Sequence, residues 1–440
     1  MNRISKIKFF SSIFIFLCLV FGVVAVSASA SAEDDINHAD FWLGTIQNPD
    51  AVIMNTKQIK KYNQEMLKKL PNTNYDFRKY PKTIRKKDIQ NVLQVNPLPE
   101  GYVNGQKMSL DFKLRMLTNL NLADIQARNP VHYGIVVRRS SLRLYPTAEG
   151  IFEDETDHTF DLLQATVLNP GEGVAILHKS ADNKWIFVQS ATYRGWIVGD
   201  DVAQISDQEW EKWQNTKDFL VVVAAKLNIQ MDAETILLEM GSHLPVVGKD
   251  GNSYIVKVPQ RQENGQVYFV EKAVPDDENV NFGDLPYTRA NIIKQAFKFY
   301  GQPYGWGGLS ESVDCSSFVM DIYRCFGFMM PRDADRQEVA VGKVRTVNSA
   351  NVEKVLKQTL PGATLHMDGH VMLYLGSFDG KYYVINSLGS YGASGSIGGS
   401  DGLLMRVPVM QVVTTDIKNT LRRNGTSFMD SLRTVKEWQY

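Results

Sequence analysis

The fold is decided by a loop that leads directly into a helix, Gln302-Pro303-Tyr304-Gly305-Trp306-Gly307-Gly308 and then Asp314-Cys315-Ser316-Ser317-Phe318-Val319. Glycine and proline disfavour the interiors of helices and strands, so the first run indicates a loop. Beyond Cys315, apolar residues recur at helical spacing, at positions 318, 319, 322, 323 and 326. The sequence therefore predicts that Cys315 lies at or near the first turn of a buried helix.

This placement of Cys315 favours a nucleophilic thiolate. Unpaired backbone N–H groups and the helix dipole stabilise an anion at a helix N-terminus. We therefore expect the pKa of the thiol to be lowered. Cys325 lies in the middle of the same helix and is interpreted as a small buried apolar residue. The chain has only three cysteines, which excludes a disulfide-stapled scaffold and a cysteine-rich zinc protein.

A thiolate nucleophile needs a base, and only His366 and His370 of the seven histidines lie in the C-terminal region. His370 opens a strong strand pattern, while His366 is interpreted as a loop residue and the weaker candidate. A turn at residues 378–380 and a partner strand bring Asn386 close to His370, where its amide fixes the imidazole tautomer. The order Cys, His, Asn is similar to the papain-like arrangement. This chemistry requires no metal or cofactor.

Upstream of this region, the sequence changes to short apolar runs broken by Gly, Asn and Asp. Closely spaced short strands of this kind are typical of small barrels. The run Asp182–Val188 resembles Asp250–Val256, since each is a polar turn followed by a strand that starts with an aromatic residue and isoleucine and ends in valine. We interpret these as two tandem barrels over residues 130–205 and 218–275. Chance similarity between two hairpins is the alternative.

The remaining segments flank the barrels. Residues 33–129 are polar and mixed, with helical patterns at 57–70 and 108–122, and they predict a helical clip that packs on its neighbours. Residues 275–283 are acidic and poor in apolar side chains, which indicates a linker. A catalytic domain is predicted over residues 284–440.

Residues 1–32 are interpreted as a signal peptide. Basic residues at positions 3, 6 and 8 precede an apolar run, which small-x-small cleavage patterns follow. We therefore expect a secreted protein that is periplasmic or associated with the cell wall. No stable membrane insertion is expected after cleavage. A retained membrane anchor is the alternative.

Composition narrows the possible partners. At 440 residues and 44% hydrophobic content the chain is too long and too apolar for a disordered tail, and about 150 residues per domain suggests three domains. Lysine and arginine number 48, as do aspartate and glutamate, and the pI is about 7.1. This balance predicts no nucleic-acid partner.

Several separate motifs, in order, resemble one family. Tyr304–Gly308 and Asp314–Val319 are similar to the nucleophile motif of the NlpC-type cell-wall cysteine peptidases. Gly369–Gly376 resembles that family's histidine strand, and Pro331–Ala334 with Gln337 resembles the segment after its nucleophile helix. The two barrels resemble the bacterial SH3-like domains of its multidomain branch. The region around residues 38–42 resembles that branch's N-terminal stabilising segment.

The resemblance implies an α+β fold, in which a papain-like C-terminal catalytic domain follows two small SH3-like β-barrels and a helical N-terminal clip. It implies a cysteine peptidase with Cys315, His370 and Asn386 in the catalytic positions. The implied substrate is a peptidoglycan stem peptide, cut between γ-D-Glu and a diamino acid. The branch with SH3-like domains prefers released peptides with a free N-terminal L-Ala. Many members carry histidine where this chain has Asn386.

The resemblance also implies four substrate contacts. Asp314 matches the carboxylate that pairs with the free amine of the peptide, and Ser316 and Arg332 match other contact positions. Tyr193 resembles the aromatic residue that the first barrel offers to the cleft, although a barrel-surface tyrosine is the alternative. The acidic residue that the first barrel often contributes is not identified in the sequence.

Two other functions stay open at the level of sequence. One is a non-catalytic wall-binding protein whose barrels bind peptide stems, against which the presence of both Cys315 and His370 argues. The other is an amidase or acyltransferase on the same fold. Product analysis separates these, because a peptidase frees a diamino acid and an amidase frees the lactyl group of the sugar.

Overall fold

The computed structural model describes residues 35–94, 97–398 and 402–440. The predicted signal peptide, residues 1–32, lies outside the described residues. Within the three described ranges, no helix combines the length and the apolar character that a bilayer crossing requires. Along the chain follow an N-terminal segment, two β modules and a C-terminal α+β domain.

The N-terminal segment is built from short helices and very short strands, and it packs on the C-terminal domain. Trp42 is fully buried, with its ring 5.4 Å from that of Tyr383. The hydroxyl of Tyr62 donates to the carbonyl of Val341. The elements are α1 (Ala39–Thr45), β1 (Val52–Met54), α2 (Thr56–Lys69), β2 (Thr83–Arg85), α3 (Lys86–Gln94), β3 (Tyr102–Val103), β4 (Gln106–Lys107), α4 (Leu110–Asn119) and β5 (Arg128–Pro130).

The first β module is one antiparallel sheet of seven strands. The strands are β6 (His132–Val136), β7 (Ser140–Arg143), β8 (Gln164–Leu168), β9 (Gly173–Lys179), β10 (Trp185–Gln189), β11 (Arg194–Val198) and β12 (Val202–Ile205). They pair in the order β12-β6-β9-β10-β11-β7-β8. Phe187 and Trp196 face each other across the β10–β11 pair and fill its core, with ring centroids 5.2 Å apart. Helix α5 (Asp207–Gln214) follows and leads into the second module.

The second β module contains a five-stranded sheet and a separate hairpin. Its strands are β13 (Phe219–Val222), β14 (Lys226–Gln230), β15 (Thr235–Glu239), β16 (His243–Asp250), β17 (Ser253–Arg261), β18 (Val267–Pro275) and β19 (Val280–Phe282). The sheet order is β18-β17-β16-β13-β19, and β14 pairs with β15. Whether this module is SH3-like stays a prediction, as do the domain boundaries.

The expectation that residues 275–283 form only a linker is wrong. Strand β19 lies inside this acidic stretch and pairs with β13, completing one edge of the sheet. Val280 is buried in the core of the module, which gives these three residues an apolar anchor. A strand this short, surrounded by acidic and polar residues, leaves no alternating pattern for sequence analysis to detect.

The C-terminal domain packs helices on one six-stranded antiparallel sheet. Its elements are β20 (Tyr287–Thr288), α6 (Arg289–Phe297), α7 (Cys315–Arg324), α8 (Ala334–Val339), β21 (Lys343–Thr346), α9 (Val352–Lys357), β22 (Thr364–Met367), β23 (His370–Phe378), β24 (Lys381–Gly398), β25 (Leu403–Asp416) and β26 (Thr434–Glu437). The sheet order is β21-β26-β22-β23-β24-β25. Strand β20 pairs with β1 of the N-terminal segment.

Helix α7 is the central helix of this domain. Its apolar side chains, among them Phe318, Val319 and Ile322, are fully buried against Leu373 of β23 and Ile385 of β24. Burial of this helix face contributes apolar stabilisation to the domain. Because α7 begins at Cys315, the same packing fixes the position of the thiol relative to β23.

Candidate active site

Helix α7 begins where the sequence predicts, with Asp314 as its N-cap. The Asp314 carboxylate accepts the backbone N–H groups of Ser316 at 3.1 Å and Ser317 at 2.9 Å, while the Ser317 hydroxyl accepts the backbone N–H of Asp314. This reciprocal capping box satisfies donors that the first turn would otherwise leave unpaired. The N–H of Phe318 bonds to the Asp314 carbonyl. The N–H of Cys315 is therefore the first-turn donor left over for a ligand.

The loop before the helix is braced by the first β module. The side-chain amide of Gln164 on β8 donates to the carbonyl of Gly307 at 2.8 Å, and the indole N–H of Trp306 donates to the carbonyl of Asp161 at 2.9 Å. Gly308 has φ of +86°, and a Cβ there would lie 2.6 Å from Val167 of β8. Only glycine permits both this backbone conformation and this close approach. The glycines of the loop are thus explained by contact with the barrel.

His370 and Asn386 are in contact, as the hairpin pattern predicted. The imidazole Nε2 lies 2.7 Å from Asn386 Oδ1. The amide nitrogen of Asn386 donates to the carbonyl of Val413 and to the hydroxyl of Thr415, which leaves Oδ1 as the atom facing the ring. Nε2 must therefore carry the hydrogen, and Nδ1 of the neutral ring is free to accept a proton. Burial lowers the pKa of His370 below its usual value, against the opposing effects of Asn386 and Asp314.

The thiol of Cys315 lies beside the start of β23. The backbone N–H of Val371, the residue after His370, hydrogen-bonds to the sulfur and favours its ionised form. The Ser387 hydroxyl, next to Asn386, donates to the carbonyl of Val313 at 2.7 Å. The nucleophile loop and both strands of the hairpin are therefore tied together around the sulfur.

The expectation of a lowered thiol pKa is wrong for the free protein. Burial, and then the negative charge of Asp314, raise the pKa of Cys315 to about 12. The hydrogen bonds from Val371 and Ser316 act in the other direction but are outweighed. Sequence reasoning counted the helix N-terminus and omitted desolvation, which depends on tertiary packing. The resting thiol is consequently protonated.

Three predicted substrate contacts form one buried network. Arg332 bonds to both carboxylate oxygens of Asp314, at 2.6 and 3.2 Å, and to the hydroxyl of Ser316 at 2.8 Å. Its Nε also donates to the hydroxyl of Thr166 in the first module at 2.7 Å. Burial opposes ionisation of Asp314, yet the Arg332 guanidinium and the capping hydrogen bonds hold the pKa of that carboxyl below its usual value. The network fixes the Asp314 cap, which the sequence did not indicate.

These groups line a cleft of about 410 Å³ between the first β module and the C-terminal domain. Cys315, Asp314, Ser316 and Arg332 form part of its wall, and Tyr193 of the first module lies in it as predicted. The first module also contributes apolar and amide side chains, namely Leu144, Leu162, Gln164 and Ala165. The module that supports the loop therefore also shapes the cleft.

Sequence reasoning quoted Tyr304 in a motif without assigning it a role. Tyr304 lines the cleft, and burial followed by the proximity of Cys315 raises the pKa of its hydroxyl far above the usual value. Gln164 was missed entirely. A polar residue at the first position of a barrel strand carries no sequence signal for a contact with Gly307, more than 140 positions away.

His366 is not in a loop, which corrects the earlier interpretation. It lies in β22, pairs with Val371 and Thr434, and lines the cleft. Burial, followed by the charges of Lys436 and Arg433, lowers the pKa of His366 to about 3. A ring that stays neutral and bonds to the Thr364 hydroxyl is a structural neighbour of the site. Across the described residues, no group of His, Cys, Asp and Glu is arranged to hold a metal ion.

Comparison with known families agrees with this geometry. Residues 301–393 match the model of the NlpC/P60 family, and residues 150–198 match that of the SH3 domain of the SH3b1 type. The first range spans the nucleophile loop, α7, β23 and Asn386, and the second covers most of the first β module. The chain therefore contains an NlpC/P60 domain preceded by an SH3b-type domain.

Two curated relatives are γ-D-glutamyl-L-lysine dipeptidyl-peptidases. That of Bacillus subtilis (strain 168) is 32% identical over 98 residues, which is 22% of this chain and 30% of the relative. That of Bacillus cereus (strain ATCC 10987 / NRS 248) is 28% identical over 192 residues, which is 39% of this chain and 54% of the relative. The chain thus spans between 30% and 54% of the length of these relatives.

One solved structure shares the fold over most of the chain. It is an NlpC/P60 endopeptidase from Photobacterium damselae subsp. piscicida, with a TM-score of 0.73 and 18% sequence identity. The similarity covers 90% of this chain and 96% of that one. At this identity the likeness establishes the arrangement of elements, and the chemistry has to be argued from the residues themselves.

Proposed function

We propose that this protein is a cysteine peptidase that hydrolyses the γ-D-glutamyl–diamino acid bond of peptidoglycan stem peptides. The observation that carries the proposal is the position of the Cys315 sulfur, which lines the cleft at a capped helix start and lies against the backbone N–H of Val371, next to the His370 imidazole that Asn386 orients. The family matches and the γ-D-glutamyl-L-lysine dipeptidyl-peptidase relatives support the same reaction class.

In the proposed mechanism, substrate binding activates the nucleophile. The resting pair is a protonated thiol and a neutral imidazole, because burial raises the pKa of Cys315 and lowers that of His370. Nδ1 of His370 takes the thiol proton as the sulfur attacks the γ-glutamyl carbonyl. The same nitrogen then gives this proton to the departing amine. In the second half-reaction His370 activates water, which releases the acyl group from Cys315.

Negative charge develops on the carbonyl oxygen during attack, and it needs donors. The N–H of Cys315 is free for this role because Asp314 occupies the N–H groups of the next two residues. The hydroxyl of Tyr304 is the neighbouring donor, since it lines the cleft close to the sulfur. Preorganised donors of this kind commonly supply about 10²–10³ of the rate.

Substrate recognition is proposed for Asp314, Ser316, Arg332 and Tyr193, which line the cleft beside the sulfur. A free N-terminal L-Ala ammonium would approach Asp314, whose charge is already balanced by Arg332. An additional acidic group would strengthen binding of that ammonium, and Asp333 also lines the cleft. Tyr193 would bound the end of the cleft nearest the first module.

The proposed substrate lies outside the cytoplasm. The signal-peptide pattern of residues 1–32 supports secretion across the inner membrane and a periplasmic or wall-associated location. The SH3b-type match supports contact with the cell wall. Peptidoglycan, or a muropeptide released from it, is thus the proposed partner.

The test compares the cysteine that begins α7 with the cysteine that caps its C-terminal end. Cys315→Ala is expected to abolish cleavage of L-Ala-γ-D-Glu-L-Lys and L-Ala-γ-D-Glu-meso-diaminopimelate, measured by mass spectrometry of the products. Cys325→Ala is the matched control, because Cys325 is buried near the other end of α7 and should leave the rate within about threefold.

Product identity separates the proposal from its alternatives. A freed diamino acid supports the γ-D-glutamyl peptidase, whereas cleavage at the lactyl group of the sugar would establish an amidase. Full activity of Cys315→Ala would remove the thiol from the mechanism. Absence of any cleavage by the wild-type protein, with retained binding of peptide stems, would favour a wall-binding protein.

A further inference from the structure

A groove larger than the catalytic cleft lies between the N-terminal segment and the first β module. Its volume is about 1300 Å³, against about 410 Å³ for the cleft around Cys315. The walls come from the end of α2, the turn at Phe77–Lys79, β2, the start of α3, β5 and the first residue of β11. Small-molecule sites usually measure about 300–1000 Å³, so the groove is of a size for a longer ligand.

The groove is strongly basic although the whole chain is neutral. Residues 57–128 contain 15 lysines and arginines but only six aspartates and glutamates. Six basic side chains line the groove, and they are Lys68, Arg78, Lys79, Arg85, Arg128 and Arg194. Fields of one sign inside a concave surface are focused and attract the opposite charge.

The two acidic residues of the lining do not offset this charge. Asp76 accepts two hydrogen bonds from Arg78, at 2.8 and 3.1 Å, and Asp88 accepts two from Arg85 at the same distances. The side-chain hydrogen bond from Arg78 is the main reason that the pKa of Asp76 lies below its usual value. Each aspartate thus neutralises one arginine. Four of the six cations remain, namely Lys68, Lys79, Arg128 and Arg194.

Three of the remaining cations have no counter-charge. Lys68, Lys79 and Arg128 are exposed, and no carboxylate of the described residues lies within 4 Å of any of them. Like charges held on facing walls repel one another, and an anionic ligand removes that repulsion.

The fourth cation, Arg194, is fixed in place by hydrogen bonds to its neighbours. Arg194 donates to the side-chain oxygen of Gln189 at 2.6 Å and to the hydroxyl of Tyr75 at 2.9 Å. Its guanidinium lies over the Tyr75 ring at 5.4 Å, and that ring is 6.0 Å from Tyr80. A fixed guanidinium loses little side-chain entropy on binding an anion. The two tyrosines give the same wall an aromatic surface.

We propose that this groove binds an extended anionic polymer built from sugar or polyol units. Carboxylate or phosphate groups along the polymer would contact the arginines and lysines, and the sugar or polyol units would lie on Tyr75 and Tyr80. The site is separate from the catalytic cleft, and the proposal holds whether or not the cleft cleaves γ-D-glutamyl bonds.

The groove and the cleft lie on two sides of one loop. The backbone N–H of Tyr75 donates to the carbonyl of Ala191 at 2.8 Å. Tyr193 of the same loop lines the cleft, while the next residue, Arg194, lines the groove. A polymer bound in the groove would keep the protein attached to an anionic matrix, and the polymer would not occupy the cleft.

The test measures binding of the full chain by titration calorimetry to poly(glycerol phosphate) and to oligogalacturonate, which distinguish phosphodiesters from carboxylates. The variant Lys79→Gln/Arg128→Gln is expected to weaken binding of the preferred polymer at least tenfold. The slope of log Kd against log salt should fall by about two, because two cation–anion contacts are lost.

Matched controls make the result specific to the groove. Lys107→Gln/Lys294→Gln removes the same charge from exposed positions outside the groove, and it should change Kd less than twofold. The proposal is overturned if both double variants lose equal affinity, if neither polymer binds, or if neutral dextran binds as well. Single-stranded DNA of equal charge binding as tightly would also overturn it, because the ligand would then be a nucleic acid.

Discussion

Both β modules contact the C-terminal end of α7, but only the first also contacts the loop before Cys315 and takes part in the candidate site. The first module supports the surroundings of Cys315, because Gln164 donates to the carbonyl of Gly307 and the Thr166 hydroxyl accepts from Arg332. Its Glu172 also pairs with Arg324, the last residue of α7, at 3.0 Å. The second module meets the C-terminal end. There the sulfur of Cys325 lies 3.7 Å from the carbonyl of Val222.

The cleft wall reflects this difference. Among the described residues, the second module contributes none to the lining of the cleft, whereas five come from the first. The two neighbouring β modules thus differ in role, because only the first contacts the loop before Cys315 and lines the cleft. Function follows from these contacts rather than from the fold of the module.

The largest expected effect on stability and cleavage comes from a substitution near the N-terminal end of α7. Arg332→Met removes the partner of the buried Asp314 carboxylate, and the exposed fraction of the arginine side chain is only 3%. An unpaired buried charge costs about 3–5 kcal/mol, so we expect a loss of that size in the free energy of unfolding and a loss of cleavage. Urea unfolding followed by tryptophan fluorescence measures the first quantity.

The control for that variant is an arginine between the two modules. Arg138 pairs with Glu234 at 2.6 Å, but the exposed fraction of its side chain is 47%. Exposed ion pairs contribute about 0–1 kcal/mol, so Arg138→Met should have little effect on stability or cleavage. Equal losses of stability in Arg332→Met and Arg138→Met would show that the buried ion pair stabilises the protein no more than the exposed one.

A second comparison uses two glycines. Gly308 lies in the nucleophile loop against the first module, and Gly251 lies in a turn of the second module. Gly308→Ala places a Cβ 2.6 Å from Val167 in a loop that must keep φ at +86°. We expect kcat/KM to fall about 10²-fold, because a shift of about 1 Å in the nucleophile loop has effects of this order. Gly251→Ala in the second module, with φ of +54° and open space around it, should cost about 1 kcal/mol and leave kcat/KM unchanged.

The clash itself is tested by a second substitution. Val167→Ala shortens the side chain that the new Cβ meets, so Gly308→Ala/Val167→Ala should recover part of the lost activity. If the double variant is as inactive as Gly308→Ala, the defect arises from the left-handed backbone and not from the module contact.

The sequence predicted the first end of α7 better than the second. Glycine and aspartate before Cys315, and apolar spacing after it, define a helix start without any tertiary information. The contact between His370 and Asn386 was also predictable, because a short turn fixes which residues of a hairpin meet. Both features depend on residues that are close in the sequence.

The features that sequence analysis missed depend on distant contacts. The pKa of Cys315 is raised mainly by burial, which depends on tertiary packing and has no local pattern, although the charge of the adjacent Asp314 could be read from the sequence. Strand β19 depends on a partner, β13, more than fifty residues earlier. The basic groove was overlooked because total charge was counted and its distribution over residues 57–128 was not.

A smaller effect is expected on substrate binding. Tyr193→Leu keeps an apolar side chain in the first module but removes the ring and hydroxyl that line the cleft. KM should rise about tenfold, equivalent to about 1.4 kcal/mol, with kcat within threefold. Tyr254→Leu in the second module is the matched control and should leave KM within twofold. Equal changes in KM would end the functional distinction between the modules.

The comparison that alters the protein least needs no substitution and distinguishes the thiols at the two ends of α7. Burial raises the pKa of Cys315 and of Cys325 to about 12, but only Cys315 lines a cleft. At pH 7 iodoacetamide should therefore label Cys315 about 10²-fold more slowly than a free cysteine, because its thiolate fraction is about 10³-fold lower and its greater nucleophilicity offsets only part of this. Cys325 should be labelled only after unfolding. Between about pH 8 and 11 the Cys315 rate should rise roughly tenfold per pH unit, because the thiolate fraction does so below a raised pKa. Peptide mass spectrometry follows both sites in one sample.

A rate of Cys315 labelling that is fast and constant between pH 5 and 8 would mean that the thiolate–imidazolium pair exists before substrate arrives. The proposal that substrate binding activates the nucleophile would then be wrong.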